Sequence, residues 1–579
     1  MSLIILSTVG AAAVAGLVAV PSAGATSSAA STTTTAYEKA VPVCGKVTGK
    51  HVRCFAMKLV RSTFGAAGAH AMAAKPSYAE GPAGGYSPAA VATAYGITPS
   101  ATTTVKVGIV DAYGDTSLRA DVGVFDAKYG LPGETPSSLK IVGQTGGATP
   151  TTDSGWGVEQ SLDVEAVRGL CNKCQIIVVE ASSAGDADLA TAENEAVTLG
   201  ATVVSNSFGQ AESASTPDST FIAAFAHKGV AQVASTGDDG WFDWDGLNKN
   251  YASSDSPALP AALPTTVAVG GTSLYLNDNG TRASETVWNE NGPADQFGLQ
   301  LGKEMGASGG GCSTLYTAPA WQHAVAGFSG TGCGTKRLAA DISAIADPFT
   351  GYDIYDSFGS QGLGWETIGG TSLAAPVISA MWALAGGPAG VATPALSLYG
   401  HFKSDTTKPY YDVQVGGNGI CGTASATACS ADLGTTGAGE SPNTVGYGQV
   451  DCYWAGPTAT LATSNGQCHA KVGYDGPSGV GTPKGTALFK ALNPTAKITA
   501  PTSITHGKTA AFKGTTSTDP FPGGTITKYS WTWGDGSAAT AGSAPTHKYA
   551  KAGKYSVKLV VTDSYGRVSP TLVHPVTVK

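Results

Sequence analysis

Residues 369 to 376 read GGTSLAAP, a small-residue turn that leads into the apolar stretch SLAAPVISAMWALAG. A serine at such a helix start can be a simple N-cap. As a nucleophile, Ser372 would need a base within hydrogen-bond reach, a group orienting that base, and a donor for an oxyanion. Asp111, in VGIVDAY, is a strand-end acid of the kind that orients a histidine base. Between it and Ser372 stand only His227, in AFAHKG, and His323, in WQHAV, and neither has the setting of a catalytic base. The chain offers instead a carboxylate pair, Glu159 and Asp163, in EQSLDVE.

Placed on a helix at about 100° per residue, VEQSLDVEAVRGL (158–170) sorts into two sides. Gln160, Ser161, Glu165 and Arg168 fall on one, and Leu162, Ala166, Val167 and Leu170 on the other. Glu159 and Asp163 sit one turn apart in the middle of the apolar side. Burying unpaired charge is costly, so these acids must share protons or hydrogen bonds. Two like acids close together also raise one pKa, which makes a carboxylate a usable proton acceptor.

The elements that must position these groups follow a regular alternation. Apolar runs at 105–113, 176–181, 202–209, 230–236 and 266–272 read as strands. LATAENEAVTLG (189–200) and STFIAAFAHKG (219–229) are helical in period and end at glycine. Strands alternating with helices predict an α/β domain with a parallel sheet and helices on both faces. Ligands in such sheets sit at the carboxyl ends of strands, where Asp111, Ser207 and Asp238 all lie. From about residue 497 the pattern changes to β runs such as WTWGDGS and KYSVKLVVTD, without a helix signal.

Composition bounds the rest. The 579 residues allow two or more domains, and 42% hydrophobic content predicts a globular chain. A net charge of -8 argues against nucleic acid or anionic membrane as the main partner. The apolar N-terminal run ends in Ala23-Gly24-Ala25, a cleavage pattern that predicts a signal peptide over 1–25 rather than a membrane anchor. The ten cysteines fall in close pairs, 44/54, 171/174, 312/333, 421/429 and 452/468. In an exported chain these predict five short-range disulfides, not a zinc site.

Taken together, these segments resemble the sedolisin family of serine-carboxyl peptidases, over about residues 86 to 483. Its E-x-x-L-D-x-E stands here as Glu159, Leu162, Asp163 and Glu165, and its G-T-S-x-x-x-P as Gly370, Thr371, Ser372 and Pro376. Ser235, Gly237, Asp238 and Gly240 match a third motif, and Ser313, Tyr316, Pro319, Trp321 and Gln322 a fourth. The resemblance implies a subtilisin-like fold and a secreted endopeptidase acting on proteins or peptides. It implies Ser372 as nucleophile, Glu159 as general base, Asp163 as its orienting partner and Asp238 as oxyanion partner. Asp111 is either a further partner of Asp163 or a structural acid at a strand end. A carboxylate would repel an oxyanion, so Asp238 must be protonated while Glu159 accepts a proton. With ordinary carboxyl pKa values near 4, that predicts a bell-shaped optimum around pH 3–5.

The resemblance also implies one calcium site, made by the carboxylates of Asp412 and Asp475 and the carbonyls of Val413, Lys471 and Gly473. Lys471 stands where the family has glycine, which leaves a carbonyl still able to ligate. Residues 493–579 resemble a PKD domain, an immunoglobulin-like β-sandwich, through Trp531, Trp533, Gly534, Asp535, Tyr549 and Asp563. Such a domain serves as a spacer or binds a polymer or surface. The expected division is a signal peptide (1–25), a short N-terminal or pro segment (26–85), a peptidase domain (86–492) and the β-sandwich (493–579). Fewer than about 60 residues separate the expected cleavage from the peptidase domain, too few for the family's usual large pro-domain. A secreted monomer without nucleic-acid or membrane partners is expected. The rival readings are a neutral Ser-His-Asp peptidase and a non-catalytic secreted binding protein.

Overall fold

A computed structural model describes residues 35–45, 51–64, 81–212, 219–240, 257–289, 306–358, 364–404, 406–418, 449–450 and 466–579. The expected signal peptide lies outside them. Two compact units divide the chain: one comprises Met1–Tyr37 and Ser62–His70, the other Glu38–Arg61 and Ala71–Lys579. Everything below concerns the second unit.

Its centre is an eight-stranded sheet. The strands are β1 (Lys106–Ala112), β2 (Leu139–Gly143), β3 (Gln175–Ala181), β4 (Val203–Asn206), β5 (Ala231–Ser235), β6 (Val267–Leu276), β7 (Arg282–Val287) and β8 (Ile342–Ile345). Their order is β7-β6-β5-β4-β1-β3-β2, with β8 also on β6. All pairings are parallel except β6 with β7. The order reverses at β1: the chain runs out to β2, returns through β3 and continues on the other side at β4. Such a reversal opens a crevice at the carboxyl ends of the strands.

Each strand feeds two cores because successive side chains alternate. Val107 and Ile109 of β1, with Ile176 and Val178 of β3, face α1 (Leu118–Tyr129), α2 (Ser154–Leu170) and α4 (Thr371–Leu384). Val110, Ala112, Ile177 and Val179 face α3 (Asp186–Thr198) and the short helix Ser219–Ala224. Val and Ile dominate these strands because β-branched side chains suit a sheet buried on both faces. The helix expected to reach Gly229 stops at Ala224, where Phe225 and Ala226 close tighter turns onto Ile222 and Ala223.

The helix expected to divide into two sides, α2, is buried almost all round, its polar side included. Arg168 pairs with Asp126 on α1, and Glu165 accepts from the Tyr355 amide at 2.7 Å. The side opposite the carboxylate pair therefore meets a further protein layer, not water. Asp153 caps the helix by accepting from the amides of Gly155 and Trp156.

Three expected disulfides are present, Cys44–Cys54, Cys171–Cys174 and Cys312–Cys333. Cys468 is also disulfide-bonded, while Cys421, Cys429 and Cys452 lie outside the described residues. The C-terminal region is all β, with a five-stranded sheet that includes Ile526–Thr532, Gly553–Asp563 and Leu572–Val578. Trp531 and Trp533 are fully buried there, and each indole N–H has an oxygen acceptor. Its Phe521 is buried in the core of the α/β domain against Gly400, and Lys403 donates to the Phe521 carbonyl.

Candidate active site

Ser372 stands at the second position of α4. Gly370 before it has φ 91°, a left-handed geometry that glycine adopts without strain. The Ser372 hydroxyl donates to the Ser207 carbonyl at 3.1 Å and accepts from the Phe55 amide at 3.1 Å. Ser207 directly follows β4, whereas Phe55 comes from a segment outside the central sheet.

Helix α2 packs against α4 and carries the carboxylate pair inward. Glu159 and Asp163 are both fully buried. Glu159 Oε2 accepts from the Ala56 amide at 3.0 Å, and Asp163 Oδ1 accepts from the Ser207 hydroxyl at 2.7 Å. Glu159 Oε1 and Asp163 Oδ2 have no hydrogen-bond partner among the described residues. Burial pushes the Glu159 pKa well above the carboxylate range, and the charges of Asp163 and Asp111 push it further, while a hydrogen bond with the Ser372 side chain pulls it down. Asp163 is raised by burial and by Asp111.

Asp111 belongs to this group. It lies at the carboxyl end of β1, fully buried, with neither carboxylate oxygen hydrogen-bonded among the described residues. Burial, then the charge of Glu180, moves its pKa to about 8. Three acids thus share one low-dielectric space, and they must titrate as a set.

Asp238 follows β5 by three residues. Its Oδ1 accepts from both the amide and the hydroxyl of Thr371 at 2.8 Å, while Oδ2 is buried without a partner among the described residues. Burial moves its pKa up to about 7, against the bonds from Thr371 and the charge of Arg53. The acid expected as oxyanion partner therefore stands beside the residue preceding the nucleophile, with one oxygen uncommitted.

Neither histidine joins the group. His227 pairs with Asn194 on α3 at 2.8 Å, and the His323 ring packs at a tilt against Phe328. Two features escaped the sequence reading. In the sequence Ser207 is marked only as a strand-end residue, though its hydroxyl links Asp163 to the nucleophile's main chain. The segment around Phe55 carried no motif at all; its only signal was the nearby pair Cys44/Cys54.

The residues expected to hold calcium are brought together on two loops. Asp412 accepts from the Gly473 amide at 3.1 Å, and Asp475 from the Lys471 amide at 3.0 Å. Asp475 is fully buried and feels the charge of Asp412. The Lys471 side chain reaches away to the Gly330 carbonyl at 3.0 Å. Two neighbouring acids without a basic partner between them among the described residues, with carbonyls close in sequence, are a donor set that suits a hard oxygen-seeking cation.

Fold and site together define an α/β domain of the subtilase fold whose serine is set among carboxylates. Comparisons with known proteins agree. Residues 141–393 match the subtilase family and residues 491–578 the PKD domain. Sedolisin of Pseudomonas sp. (strain 101) is 31% identical over 363 residues, covering 60% of this chain and 58% of that protein. Kumamolisin of Bacillus sp. (strain MN-32) is 28% identical over 438 residues, covering 72% of this chain and 65% of that protein. The solved structure of Pseudomonas sedolisin, a serine-carboxyl proteinase complexed with pseudo-iodotyrostatin, aligns with TM-score 0.51 at 27% identity. It covers 70% of this chain and 96% of that one. The chain is similar to sedolisins and carries a C-terminal PKD domain, and it spans less than two thirds of the length of either curated relative.

Proposed function

We propose that this chain is an exported serine-carboxyl endopeptidase that hydrolyses protein or peptide substrates in acid through an acyl-enzyme on Ser372. The observation that carries the reading is the convergence on one point of Ser372, Glu159 and Asp238. Ser372 Oγ and Glu159 Oε2 accept from two consecutive amides, those of Phe55 and Ala56. Asp238 presents its uncommitted oxygen beside Thr371.

In this reading Ser372 Oγ attacks the substrate carbonyl carbon as Glu159 takes its proton. Asp163, itself held by Ser207, acts on Glu159 through its charge, which raises the basicity of that carboxylate. Protonated Asp238 donates to the developing oxyanion in a site where water is excluded. Glu159 then returns the proton to the leaving amine, and water attacks the acyl-enzyme by the reverse sequence.

Burial shifts the expected pH window. Asp238 must hold a proton, and with a pKa of about 7 it does so up to nearly neutral pH. The acid-side loss of activity comes from protonating the Glu159–Asp163–Asp111 set, which burial places above the ordinary carboxylate range. Both limbs therefore sit higher than ordinary carboxyl values predict, and the optimum is still acidic. A pH–rate profile on denatured casein, with Ser372→Ala as control, tests this. An alkaline optimum would overturn it.

A calcium ion bound by Asp412, Asp475 and the carbonyls of Val413, Lys471 and Gly473 would tie two loops together. It would act on stability and stand apart from the reaction. The C-terminal domain would serve as a spacer or bind a polymer or surface. Its docking through Phe521 favours a fixed placement over a freely swinging tether.

A further inference from the structure

Three aspartates meet where the loop after β1 turns into α1. Asp115 follows Asp111 on that loop, Asp121 stands in the first turn of α1, and Asp356 ends the strand Tyr352–Asp356. None of them reaches solvent to any extent: Asp115 is 6% exposed, Asp121 2% and Asp356 0%. One carboxylate oxygen from each lies within 4.8 Å of the other two. Calcium–oxygen distances of about 2.3–2.6 Å put the oxygens of one shell up to about 5 Å apart, so a single ion can touch all three.

Hydrogen bonds do not use up this oxygen set. Asp115 Oδ1 accepts from the Ser117 amide at 2.7 Å and from the Ser117 hydroxyl at 2.8 Å. Its Oδ2 is buried with no partner among the described residues, and it is the oxygen left to face the other two acids. Burial, and then the charges of Asp356 and Asp121, hold this carboxyl above the usual range against the bonds from Ser117. Asp121 accepts from the amide and hydroxyl of Ser357, and Asp356 from the Phe358 amide, all neutral donors. Neither Asp115 nor Asp121 has an ion pair among the described residues. Arg119, on the same helix as Asp121, donates instead to the Leu139 carbonyl at 2.6 Å, and Lys58 pairs with Glu366. A fourth acid stands behind the three. Glu180 Oε1 accepts from the Asp115 amide at 3.3 Å, and Glu180 Oε2 is buried without a partner among the described residues.

We infer that Asp115, Asp121 and Asp356 form a second cation site, which holds a hard divalent ion such as calcium between three carboxylates. The donor set is all oxygen, without histidine or cysteine, and this selects a hard ion over zinc or copper. Three like charges shut away from water repel one another, and an ion between them turns that repulsion into a cross-link. The link joins chain segments that frame the catalytic group. Asp115 sits on the loop that leaves Asp111 at the end of β1. Asp356 lies on a hairpin whose other strand, Gly364–Gly369, runs directly into Gly370 and Ser372. Ser161, between Glu159 and Asp163 on α2, has its hydroxyl 3.5 Å from Asp356 Oδ1. The ion thus fixes the loop after Asp111 and the approach to Ser372 against each other, and it takes no part in any bond-breaking step. The inference needs only cation binding and stands apart from the peptidase reading.

The test uses the full chain carrying Ser372→Ala, which keeps it intact, at pH 7. Calcium is stripped with a chelator and returned at about 1 mM, in the range of extracellular sites, and the bound ion is counted by atomic emission after dialysis. Asp115→Asn keeps an acceptor for Ser117 and changes the oxygen that faces the ion. This variant and Asp121→Asn should each hold one calcium fewer per chain than their parent, whether or not Asp412→Ala is also present. Melting temperature gives a second readout. With calcium the parent should melt several degrees above Asp115→Asn. In chelator the order should reverse, because the variant has lost one of three repelling charges. On the parent itself, anomalous scattering from crystals grown with terbium should place an ion among the three carboxylates, a result that does not depend on how a variant folds. Equal calcium counts in parent and variants overturn the inference. So does a melting temperature lowered equally with and without calcium, or terbium found only at other positions.

Discussion

Ser207 and Ser372 each face the other's main chain. The Ser372 hydroxyl donates to the Ser207 carbonyl at 3.1 Å, and the Ser207 hydroxyl lies 3.3 Å from the Ser372 carbonyl while bonding Asp163 at 2.7 Å. The strand end β4 and the helix start α4 are thereby fixed against each other, and Asp163 is fixed to both. Ser207→Ala removes the only hydrogen bond to Asp163 Oδ1 found among the described residues and leaves that oxygen buried. We expect kcat on a peptide substrate to fall about 10-fold or more with KM little changed, since a net bond to a charged group is worth ~1.5–3 kcal/mol. An unchanged kcat would show that Asp163 is held by other means.

Glu159→Gln keeps the shape of the side chain and removes its basicity. General-base catalysis supplies about 10²–10⁴-fold, so kcat/KM should drop by at least that factor across the acid range. Near-full activity of this variant in acid would defeat the assignment of Glu159.

Asp238 separates two roles that a carboxyl group and an amide share only in part. Asp238→Ala removes the oxyanion donor and should cost roughly 10²–10³-fold in kcat. Asp238→Asn can still accept from Thr371 through Oδ1 and donate from the other atom at every pH. Its pH–rate profile should therefore lose the decline that the wild type shows as Asp238 ionises near its pKa of about 7. A decline at the same pH in Asp238→Asn would assign that limb to another group.

Stability should fall as pH rises. Asp111 and Glu193 are fully buried, and burial moves each to about 8. The folded chain holds these protons where the unfolded chain has released them, so the stabilisation is complete below about pH 4, the unfolded values. It declines as pH rises above those values and is gone above the folded pKa values near 8. The melting temperature at pH 4.5 should exceed that at pH 8 by several degrees. Glu193→Gln, which is neutral throughout, should flatten part of that slope. A melting temperature that rises from pH 4.5 to pH 8 would contradict the buried-acid account.

Calcium and the C-terminal domain give two further stability tests. A chelator should lower the melting temperature of the wild type by more than that of Asp412→Ala; equal responses would remove the site. Phe521→Ala should destabilise by ~3–5 kcal/mol, because it empties a fully buried ring position. A shift below about 1 kcal/mol would show that the core does not depend on that ring.

The sequence alone determined the α/β alternation, because side-chain period and strand composition are local properties that survive without neighbours. It also placed Glu159 and Asp163 on one inward face, since residues four apart on a helix must share a side. Spacing alone recovered Cys44–Cys54, Cys171–Cys174 and Cys312–Cys333 because the loops are short. Only the tertiary structure decided that the opposite side of α2 is buried too, since Arg168 and Glu165 find partners on α1 and in the strand that holds Tyr355. It alone decided that Asp111 shares one buried space with the carboxylate pair and that Ser207 bonds both Asp163 and Ser372, because these contacts close across the sheet's crevice. The lodging of Phe55 at the nucleophile is of the same kind. Its bonds run from the main-chain amides of Phe55 and Ala56 to the side chains of Ser372 and Glu159, 317 and 103 residues distant, and a backbone group leaves no mark in the identity of the residue that carries it.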